Sequence, residues 1–541
     1  MSNSSSSTIV LERTRPVVMG HRGMIASAHG LASMAGIDVL RNGGNAVDAA
    51  IAVNAALNVT QPGACGIGGD LFALVYMARE RKVRFLNGSG RSPAKASIEQ
   101  LREEGHAHMP QRGIRSVTVP GCVDAWFTLH EAYGTRPMDE LLKAAIELAR
   151  EGFPITHNMA SSISDTAASL NPHSSWLETF CPGGRPPRPG ERFRQPDLAS
   201  SLEEIARHGR DAFYRGRIAE AIVALSRELG GWFEADDLAS HRSDWGEPIA
   251  TEYRGYTIFE TPPNTQGLAV LVGLNIMDGW PQGEWDWDDP ARHHHMIEAK
   301  RLAYAERDAH VADPAFYRAP LERLLSKEYA AALREKIRPD QAAPFGPARG
   351  HGGGTTYFAV ADAEGNLVSC VQSLYKGFGA MVVPRGTGIS LHNRGGYFSL
   401  DPEHPNALAP RKRPFHTLIA SMAFKGVEPV LVFGTMGGDG QPQTHMQVFA
   451  NIFEYGMDIQ QAIEAPRWAH DVTNPLAPSN ELLLEARFGE AFRGALERLG
   501  HRPRLAARWD SRMGHAQGIL VGSGTYMGGA DPRGDGYALG W

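Results

Sequence analysis

The 541-residue sequence predicts an α+β protein, with a helix-rich first part and a strand-rich second part. Between about residues 97 and 344, amphipathic patterns such as 138–151 and 291–307 alternate with proline and glycine turns. From Thr355 the pattern changes to β-prone segments and tight turns. Asn45 is the predicted N-cap of an alanine-rich helix that runs to about Leu57, and the small side chains of this helix would let it pack tightly against a sheet. Together these patterns indicate helices layered on sheets.

The composition favours a small polar or acidic metabolite as the partner. The chain has 54 basic and 60 acidic residues and a formal net charge of −6, and no run of lysine or arginine stands out. Without a basic stripe, neither nucleic acid nor an anionic membrane surface is expected to bind. A hydrophobic share of 42% is enough for a sizeable core.

The first 22 residues are expected to be a disordered segment, because they open on a serine-rich run. They lack the apolar core of a secretory signal, and no apolar span in the chain reaches membrane length. The four cysteines are scattered without a CxxC pair, which favours reduced core cysteines over a disulfide framework or a zinc site. We therefore expect a cytoplasmic protein.

A boundary is predicted immediately before Thr355. Residues 345–354 read Phe-Gly-Pro-Ala-Arg-Gly-His-Gly-Gly-Gly, a stretch without any helical or strand pattern. Exposed segments of this kind are where chains are cut. The predicted units are residues 23–354 as a large part and residues 355–541 as a small part of 187 residues.

A hairpin is predicted at the start of the small part. Residues 356–362 and 367–373 are both β-prone, with Ala-Glu-Gly-Asn between them. A turn centred near residues 364 and 365 places Thr355 opposite Ser373 or its neighbour. The hairpin therefore brings a second hydroxyl beside the first threonine.

Thr355 becomes a credible nucleophile if the Gly354–Thr355 bond is cut. A threonine hydroxyl is weak without a base beside it. Cutting the bond frees an α-amine with a pKa of about 7.7–8.0, which accepts the hydroxyl proton during attack. Gly354 has no Cβ, so the backbone can bend while the hydroxyl attacks the preceding carbonyl.

Oxyanion donors are predicted at Gly437 and Gly438. A strand-like run at 429–433 is followed by a glycine loop and a helix from about 443 to 455. The order strand, glycine loop, helix start presents backbone N–H groups to an anion.

These motifs resemble the gamma-glutamyltranspeptidase family over nearly the whole chain, from about Gly23 to the C-terminus. The resemblance lies in residues 42–50, 355–357, 365–366, 412–414, 436–438 and 531–533. It implies the N-terminal-nucleophile (Ntn) hydrolase fold, a four-layer αββα sandwich, and maturation into a large and a small subunit. It also implies Thr355 as nucleophile, Ser373 as its supporting hydroxyl and the two glycines as the oxyanion hole. We further expect a dimer of such heterodimers.

The glutamate pocket of typical members is altered in this sequence. Ser89 stands where an arginine holds the substrate's α-carboxylate, although Arg91 follows two residues later. Tyr397 stands where an acid binds the α-ammonium. The candidate substrate-binding residues are Ser89, Arg91, Tyr375, Asn393, Arg394, Tyr397, His416 and Thr417.

Loss of that acid predicts a substrate without an α-ammonium group. A desolvated ammonium without an anionic partner costs several kcal/mol in a closed site, and Arg394 would repel it further. The pattern around residues 372–375 and 393–395 is most similar to the oxamate amidohydrolase and glutathione-hydrolase-like bacterial branch. The prediction is an autoprocessed amide hydrolase that requires no metal or organic cofactor.

Other interpretations stay open. True gamma-glutamyl transfer or glutathione hydrolysis is the first, and a catalytically silent binding protein with the same fold is the second. Thr355 and Ser373 could be ordinary strand residues, and the two glycines only a tight turn. Arg91 and Arg394 could be buried ion-pair partners rather than substrate ligands. The run of three histidines at 293–295 is interpreted as a solvated helix start, not a metal site.

Overall fold

A computed structural model describes residues 11–344, 354–470 and 481–541 of the protein. Two seven-stranded sheets stack face to face, and helices cover the outer face of each. The three largest apolar clusters lie between the sheets and beneath the two helical layers. This arrangement confirms the expected four-layer αββα sandwich of an α+β protein.

The two large sheets draw their strands from the whole described length of the chain. Their orders are β1-β18-β17-β13-β12-β9-β8 and β19-β2-β10-β11-β3-β4-β7, with two small sheets β14-β15-β16 and β5-β6. The strands are β1 (Val18–Gly20), β2 (Gly23–Ser27), β3 (Asp70–Met77), β4 (Lys82–Gly88), β5 (Phe153–Pro154), β6 (Arg192–Phe193), β7 (Asp244–Gly246), β8 (Ile249–Tyr253), β9 (Tyr256–Glu260), β10 (Gly354–Asp362), β11 (Leu367–Tyr375), β12 (Ser421–Lys425), β13 (Glu428–Thr435), β14 (Trp468–His470), β15 (Glu481–Glu485), β16 (Arg502–Ala506), β17 (Ala516–Gly522), β18 (Thr525–Ala530) and β19 (Tyr537–Gly540).

Helices form the two outer layers and the connections between strands. They are α1 (Gly30–Arg41), α2 (Ala46–Thr60), α3 (Ile98–Glu103), α4 (Cys122–Tyr133), α5 (Met138–Glu151), α6 (His157–Ser169), α7 (Ser174–Phe180), α8 (Pro196–His208), α9 (Arg210–Tyr214), α10 (Arg217–Glu228), α11 (Ala235–Ala239), α12 (Gly267–Met277), α13 (Pro290–His310), α14 (Leu321–Leu324), α15 (Lys327–Arg334), α16 (Gln441–Phe453), α17 (Ile459–Glu464) and α18 (Gly489–Arg498). Short 3-10 turns occur at Ile114–Ser116, Arg394–Tyr397, Gly438–Gly440, Ala486–Phe488 and Ser511–Met513. Within the described ranges, no helix combines the length and apolarity that crossing a membrane requires.

The central strand β10 contributes to two cores at once. Tyr357 and Ala359 face the opposite sheet, whereas Phe358 and Val360 face the helical layer. Successive side chains of a strand point to opposite faces, so a strand buried on both sides is apolar throughout. β10 pairs with β2 on one side and β11 on the other. The start of the predicted small part is therefore held firmly inside the sandwich.

The alanine-rich helix predicted after Asn45 is α2, and all fifteen of its residues are buried. Asn45 caps it by accepting from the backbone N–H groups of Val47 and Asp48, and the Asp48 carboxylate accepts from the Asn45 N–H in return. Small side chains let the helix lie close to β10 and β11. The predicted cap and the predicted packing against a sheet are both confirmed.

The expectation of a disordered segment up to residue 22 is wrong for residues 11–22. Strand β1 pairs antiparallel with β18, and the Thr14 hydroxyl donates to the Glu464 carboxylate at 2.8 Å. These contacts join the start of the described chain to residues more than 400 positions later. Here, pairing with residues far away in the sequence determines the local structure, and the local composition does not. Residues 1–10 lie outside the described residues.

Candidate active site

Thr355 lies at the start of β10, opposite the end of β11. The hairpin pairs Thr356 with Gln372 and Tyr357 with Val371, and its register shifts between residues 354 and 356. The irregularity turns Thr355 so that its Oγ1 donates to Ser373 Oγ at 3.2 Å. The predicted juxtaposition of these two hydroxyls is confirmed.

Ser373 is the centre of a buried hydrogen-bond cluster. Its Oγ donates to the carbonyl oxygen of Gly354 at 2.5 Å and accepts from the Tyr375 N–H at 2.6 Å. Both Thr355 and Ser373 are almost completely buried. Tyr375 has a φ of +75°, a strained conformation for a residue with a Cβ. This backbone conformation directs the Tyr375 N–H at Ser373 Oγ, and the resulting hydrogen bond helps to hold the serine side chain in position.

Arg394 approaches the same serine from the other side. Its Nη2 donates to Ser373 Oγ at 3.4 Å and its Nη1 to Thr417 Oγ1 at 2.9 Å. Burial lowers the pKa of the Arg394 guanidinium, whereas Tyr397 and Tyr375 oppose that shift. Within the described ranges the Arg394 side chain forms no ion pair within 4.0 Å. The site therefore holds a buried positive charge that contacts hydroxyl groups.

Two tyrosines form an aromatic wall beside Arg394. The rings of Tyr375 and Tyr397 lie 4.5 Å apart, and the Arg394 guanidinium lies 4.5 Å from the Tyr375 ring centroid. The hydroxyl of Tyr397 donates to the Asp439 carboxylate at 2.5 Å. An aromatic ring stabilises a cation without neutralising it, so the guanidinium stays available to an anion.

A buried cluster of one carboxylate and two histidines lies close to Arg394. Asp70 accepts from the Nε2 of His416 at 3.0 Å and lies 3.4 Å from the Nδ1 of His392. Burial alone raises the pKa of the Asp70 carboxyl, but the two histidine rings and Arg394 bring it below its usual value. Burial, followed by the charge of Arg394, lowers the pKa of His416 to about 3. His416 is therefore neutral at pH 7.

We expect His416 to make the protein sensitive to acid. In the unfolded chain its pKa returns to about 6.5, so the unfolded state binds more protons between pH 6.5 and 3 and folding stability falls as the pH drops. Between pH 7.5 and 5.0 this one fully buried group accounts for about 2 kcal/mol. Denaturant unfolding at both pH values should show a smaller loss for His416→Gln than for the wild type. Equal losses would contradict the assignment.

The glycine loop follows β13 and precedes α16. Gly437 and Gly438 have φ values of +141° and +56°, which only glycine adopts without strain. Helix α16 begins at Gln441 with Pro442 in its first turn. The predicted order of strand, glycine loop and helix start is confirmed, with the helix beginning two residues earlier than expected. Because Met436 and Thr355 line one cavity, the loop lies beside the threonine.

That cavity has a volume of about 570 Å³. Its walls come from α6, the 3-10 turn near residue 511 and the segment before β19, and include Asn158, Asp165, His515 and Asp535. The size is that of a typical small-molecule site. A second cavity of about 680 Å³, lined by Phe85, Trp245 and Tyr317 among others, does not include Thr355.

Comparison with known proteins decides the family. The family model described as gamma-glutamyltranspeptidase matches residues 32–541. The chain belongs to the gamma-glutamyltranspeptidase family. It is therefore an enzyme of the Ntn amidohydrolase and transferase type, as the sequence motifs indicated.

Several members of this gamma-glutamyltranspeptidase family match almost end to end. The chain is 41% identical over 529 residues to the glutathione hydrolase-like YwrD proenzyme of Bacillus subtilis (strain 168), covering 97% of this chain and 99% of the relative. It is 37% identical to the oxamate amidohydrolase proenzyme of Klebsiella pneumoniae, covering 96% and 98%. The crystal structure of cephalosporin acylase from Bacillus halodurans superposes with a TM-score of 0.92 at 39% identity, covering 100% of this chain and 99% of the other.

Of the residues predicted from the family's glutamate pocket, Tyr375, Arg394, Tyr397 and Thr417 lie together beside Ser373. His416 lies behind Arg394 rather than in contact with Ser373. These five residues thus divide into a wall of four beside Ser373 and one supporting residue, His416, behind it.

Ser89, Arg91 and Asn393 take other positions. Ser89 Oγ donates to the Asn87 side chain at 2.7 Å in a fully buried turn. Arg91 pairs with Asp244 at 3.3 Å and lines a separate cavity without Thr355, so it is an ion-pair partner, although at the surface rather than buried as the alternative interpretation had it. The Asn393 amide oxygen accepts from the Lys376 N–H at 3.1 Å and shapes the turn after β11.

The interpretation of residues 293–295 as a solvated helix start is wrong. All three histidines are buried on α13. His294, Glu298 and His501 lie close enough to hold a metal ion. However, His294 Nδ1 lies 2.8 Å from His501 Nε2, and its Nε2 lies 2.7 Å from the Arg338 carbonyl oxygen. Hydrogen bonds thus account for both ring nitrogens of His294.

Sequence reasoning missed several charged residues around the site. Asp70 lies opposite Ser373 in the sheet, and Asp439 follows the two glycines. Burial, together with the charge of Arg112, lowers the pKa of Lys376 to about 8. Of these residues, only Asp439 could have been recognised from its neighbours in the sequence, because it is an acidic residue inside a glycine loop that directly precedes a helix. Asp70 and Lys376 come close to the site only because strands and turns that are distant in the sequence pair with one another.

Proposed function

We propose that this chain cuts its own backbone between Gly354 and Thr355, and that the freed threonine then hydrolyses a small amide of an acid without an α-ammonium group. The products of the cut are a large chain that ends at residue 354 and a small chain of residues 355–541. The observation that carries the proposal is the 3.2 Å contact between Thr355 Oγ1 and Ser373 Oγ. This contact supports the proposal because a second hydroxyl lies against that of Thr355 near the start of a buried strand.

The contacts of the uncut chain support self-cleavage. Ser373 Oγ donates to the Gly354 carbonyl at 2.5 Å and so draws electron density from the carbon that Thr355 Oγ1 attacks. Attack gives an ester in place of the amide and leaves the Thr355 nitrogen as an amine. Water then hydrolyses the ester, which frees the Gly354 carboxylate and restores the threonine hydroxyl.

Turnover uses the same threonine with its new amine. The amine accepts the Oγ1 proton as the oxygen attacks the substrate amide. The N–H groups of Gly437 and Gly438 stabilise the oxyanion, and the leaving nitrogen takes the proton. Water hydrolyses the acyl-threonine and releases the acid. The cavity beside Thr355 gives the substrate and the water their access.

Arg394 supplies the anchor for the acid's carboxylate. Its guanidinium is buried and contacts the hydroxyls of Ser373 and Thr417, with no carboxylate within 4.0 Å among the described residues. A carboxylate accepts two parallel hydrogen bonds from such a group. Because Arg394 and Thr355 both contact Ser373, the carboxylate and the reacting carbonyl are close in the substrate. Short amides of the oxamate kind satisfy that spacing.

The wall beside Arg394 disfavours a substrate ammonium. Tyr397 presents a phenol where an acid is needed, and its hydroxyl is engaged by Asp439. Asp439 is itself paired with Arg307 at 3.1 Å, so its charge is already compensated. A desolvated ammonium would find no free carboxylate among these residues. Two kinds of relative, an oxamate amidohydrolase and an acylase, have names that agree with this preference, whereas others are named glutathione hydrolases.

Two measurements on the purified protein test the proposal. N-terminal sequencing should find a chain of about 20 kDa that begins Thr-Thr-Tyr-Phe. Coupled assays should then detect ammonia from oxamate or acid release from a glutaryl amide, in preference to glutamate from glutathione. Because the base must be unprotonated, kcat/KM should rise with pH through about 7.7–8.0.

The alternatives give different outcomes. Faster release of glutamate from glutathione than of any acid without an α-ammonium would favour the gamma-glutamyl hydrolase or transferase. An intact bond between residues 354 and 355, together with tight binding of oxamate, would indicate a silent binding protein. An active preparation that contains only the full-length chain would reject the nucleophile.

A further inference from the structure

The glycine loop is held by a buried ion pair that joins the two predicted chains. Asp439 follows Gly438 in the loop, and its Oδ1 lies 3.1 Å from the Nη1 of Arg307 on α13. Its Oδ2 accepts from the Tyr397 hydroxyl at 2.5 Å. Arg307 and Asp439 are both about 1% exposed, so neither solvent nor salt screens the pair.

Two further side chains from before residue 354 hold the loop backbone. Gln266 Nε2 donates to the Gly438 carbonyl at 2.9 Å, and its Oε1 accepts from Arg307 at 2.8 Å. The Tyr304 hydroxyl donates to the Asp439 carbonyl. The loop between β13 and α16 is therefore fastened at its backbone and at its one charged side chain.

We propose that Asp439, paired with Arg307, is a positioning residue that holds the Gly437 and Gly438 N–H groups in place for turnover but not for self-cleavage. The inference rests on the proposed function, in which these N–H groups stabilise the oxyanion. Because glycine has no Cβ, its backbone reaches more conformations than that of other residues, so the two glycines keep their positive φ values only if something else fixes them. Oxyanion donors accelerate a reaction only when they are held in position beforehand.

The separation of the two reactions follows from their different donors. In the uncut chain, the Gly354 carbonyl accepts its hydrogen bond from Ser373, which belongs to β11 and not to the glycine loop. In the described part of the chain, Ser373 Oγ forms its hydrogen bonds with Gly354, Thr355, Tyr375 and Arg394, and none of these residues belongs to the glycine loop. Weakening the attachment of the glycine loop should therefore slow turnover and leave self-cleavage unchanged.

The fold should survive loss of the Asp439 charge. Arg307 also pairs with Asp308, at 2.7 Å, so Asp439→Asn leaves the guanidinium with an anionic partner. Asparagine keeps the size of the side chain and one acceptor oxygen. The substitution therefore removes charge from the loop attachment without opening a cavity.

The test compares Asp439→Asn with a matched control, Glu454→Gln. Glu454 is another carboxylate with little exposure (10% for its side chain) that accepts from one tyrosine, Tyr253, and one arginine, Arg254, but it lies at the far end of α16. Each protein is assayed on a denaturing gel for self-cleavage and by stopped flow for the nitrophenolate burst from 4-nitrophenyl acetate. This activated ester reports acylation of the threonine and does not depend on the physiological amide.

We expect Asp439→Asn to cut itself completely and to give a full burst amplitude, with a burst rate constant lower by about 10- to 100-fold. The control should match the wild type in all three readouts. A milder variant, Tyr304→Phe, should slow the burst by about three- to tenfold and also cut itself completely. Together these results would show that the attachment serves turnover alone.

Three outcomes overturn the inference. Burst rate constants for Asp439→Asn and Tyr304→Phe equal to that of the wild type would show that the attachment is not needed. Failure of Tyr304→Phe to cut itself, with the control cut normally, would show that the reactions are not separate. A cleaved wild-type protein that releases no nitrophenolate above the uncatalysed rate would instead reject the proposed function, and the inference with it.

Discussion

Replacing Thr355 by alanine should leave one uncut chain of 58.8 kDa and abolish turnover. The alanine has no hydroxyl to attack the Gly354 carbonyl, so neither the ester nor the free amine can form. Loss of a nucleophile and its associated base typically costs at least 10⁴-fold in rate. Denaturing gels and release of ammonia or acid from the amide panel measure the two effects separately.

Thr356→Val is the matched control for that experiment. Thr356 neighbours Thr355 on the same strand and is fully buried, and valine copies its shape. This variant should cut itself and turn over as the wild type does. Thr355→Ser, which keeps a hydroxyl, should cut itself more slowly but completely. Cleavage of the alanine variant between residues 354 and 355 would mean that another group attacks this bond.

The second large effect is expected at Arg394. Arg394→Met should still allow self-cleavage but lower kcat/KM for an anionic amide by about 100-fold or more, since a buried carboxylate would lose its charged partner. Arg394→Lys should recover only part of the loss, because an ammonium cannot form two parallel hydrogen bonds. Measuring kcat and KM for the amide separates binding from chemistry.

A neutral ester provides the control for Arg394. 4-Nitrophenyl acetate carries no free carboxylate for Arg394 to bind during acylation, so its burst rate constant in Arg394→Met should stay within about threefold of the wild type. A parallel loss with the ester and the anionic amide would indicate that Arg394 acts on Ser373 rather than on the substrate. The contact between Arg394 and Ser373 makes that comparison necessary.

The local part of the site was predictable from the sequence. The pairing of Thr355 with Ser373 follows from turn position and strand period alone, because a hairpin closes over few residues. The glycine loop was recognisable in the same way, since a strand and a helix flank it directly. In both cases neighbouring residues determine the geometry.

The surroundings of the site were not predictable in this way. Asp70 reaches Ser373 through pairing of β3 with β11, across some 300 residues of chain. Arg307 reaches Asp439 from a helix in another layer. Arg91 was expected near the substrate because it follows Ser89 by only two residues in the sequence. The chain turns after β4, however, and the Arg91 side chain pairs with Asp244 instead. Such contacts depend on how layers stack, which a single sequence does not show.

The strand order of the second large sheet has a consequence for the cut protein. β10 and β11 lie between β2 and β3, so strands from before and after residue 354 alternate in one continuous ladder. Cutting the backbone at the start of β10 breaks one peptide bond and leaves the hydrogen bonds between neighbouring strands in place. The two polypeptides should co-elute from a sizing column and part only in denaturant. Mixing separately folded halves should not regenerate activity, because each half would have to open a sheet to admit the other.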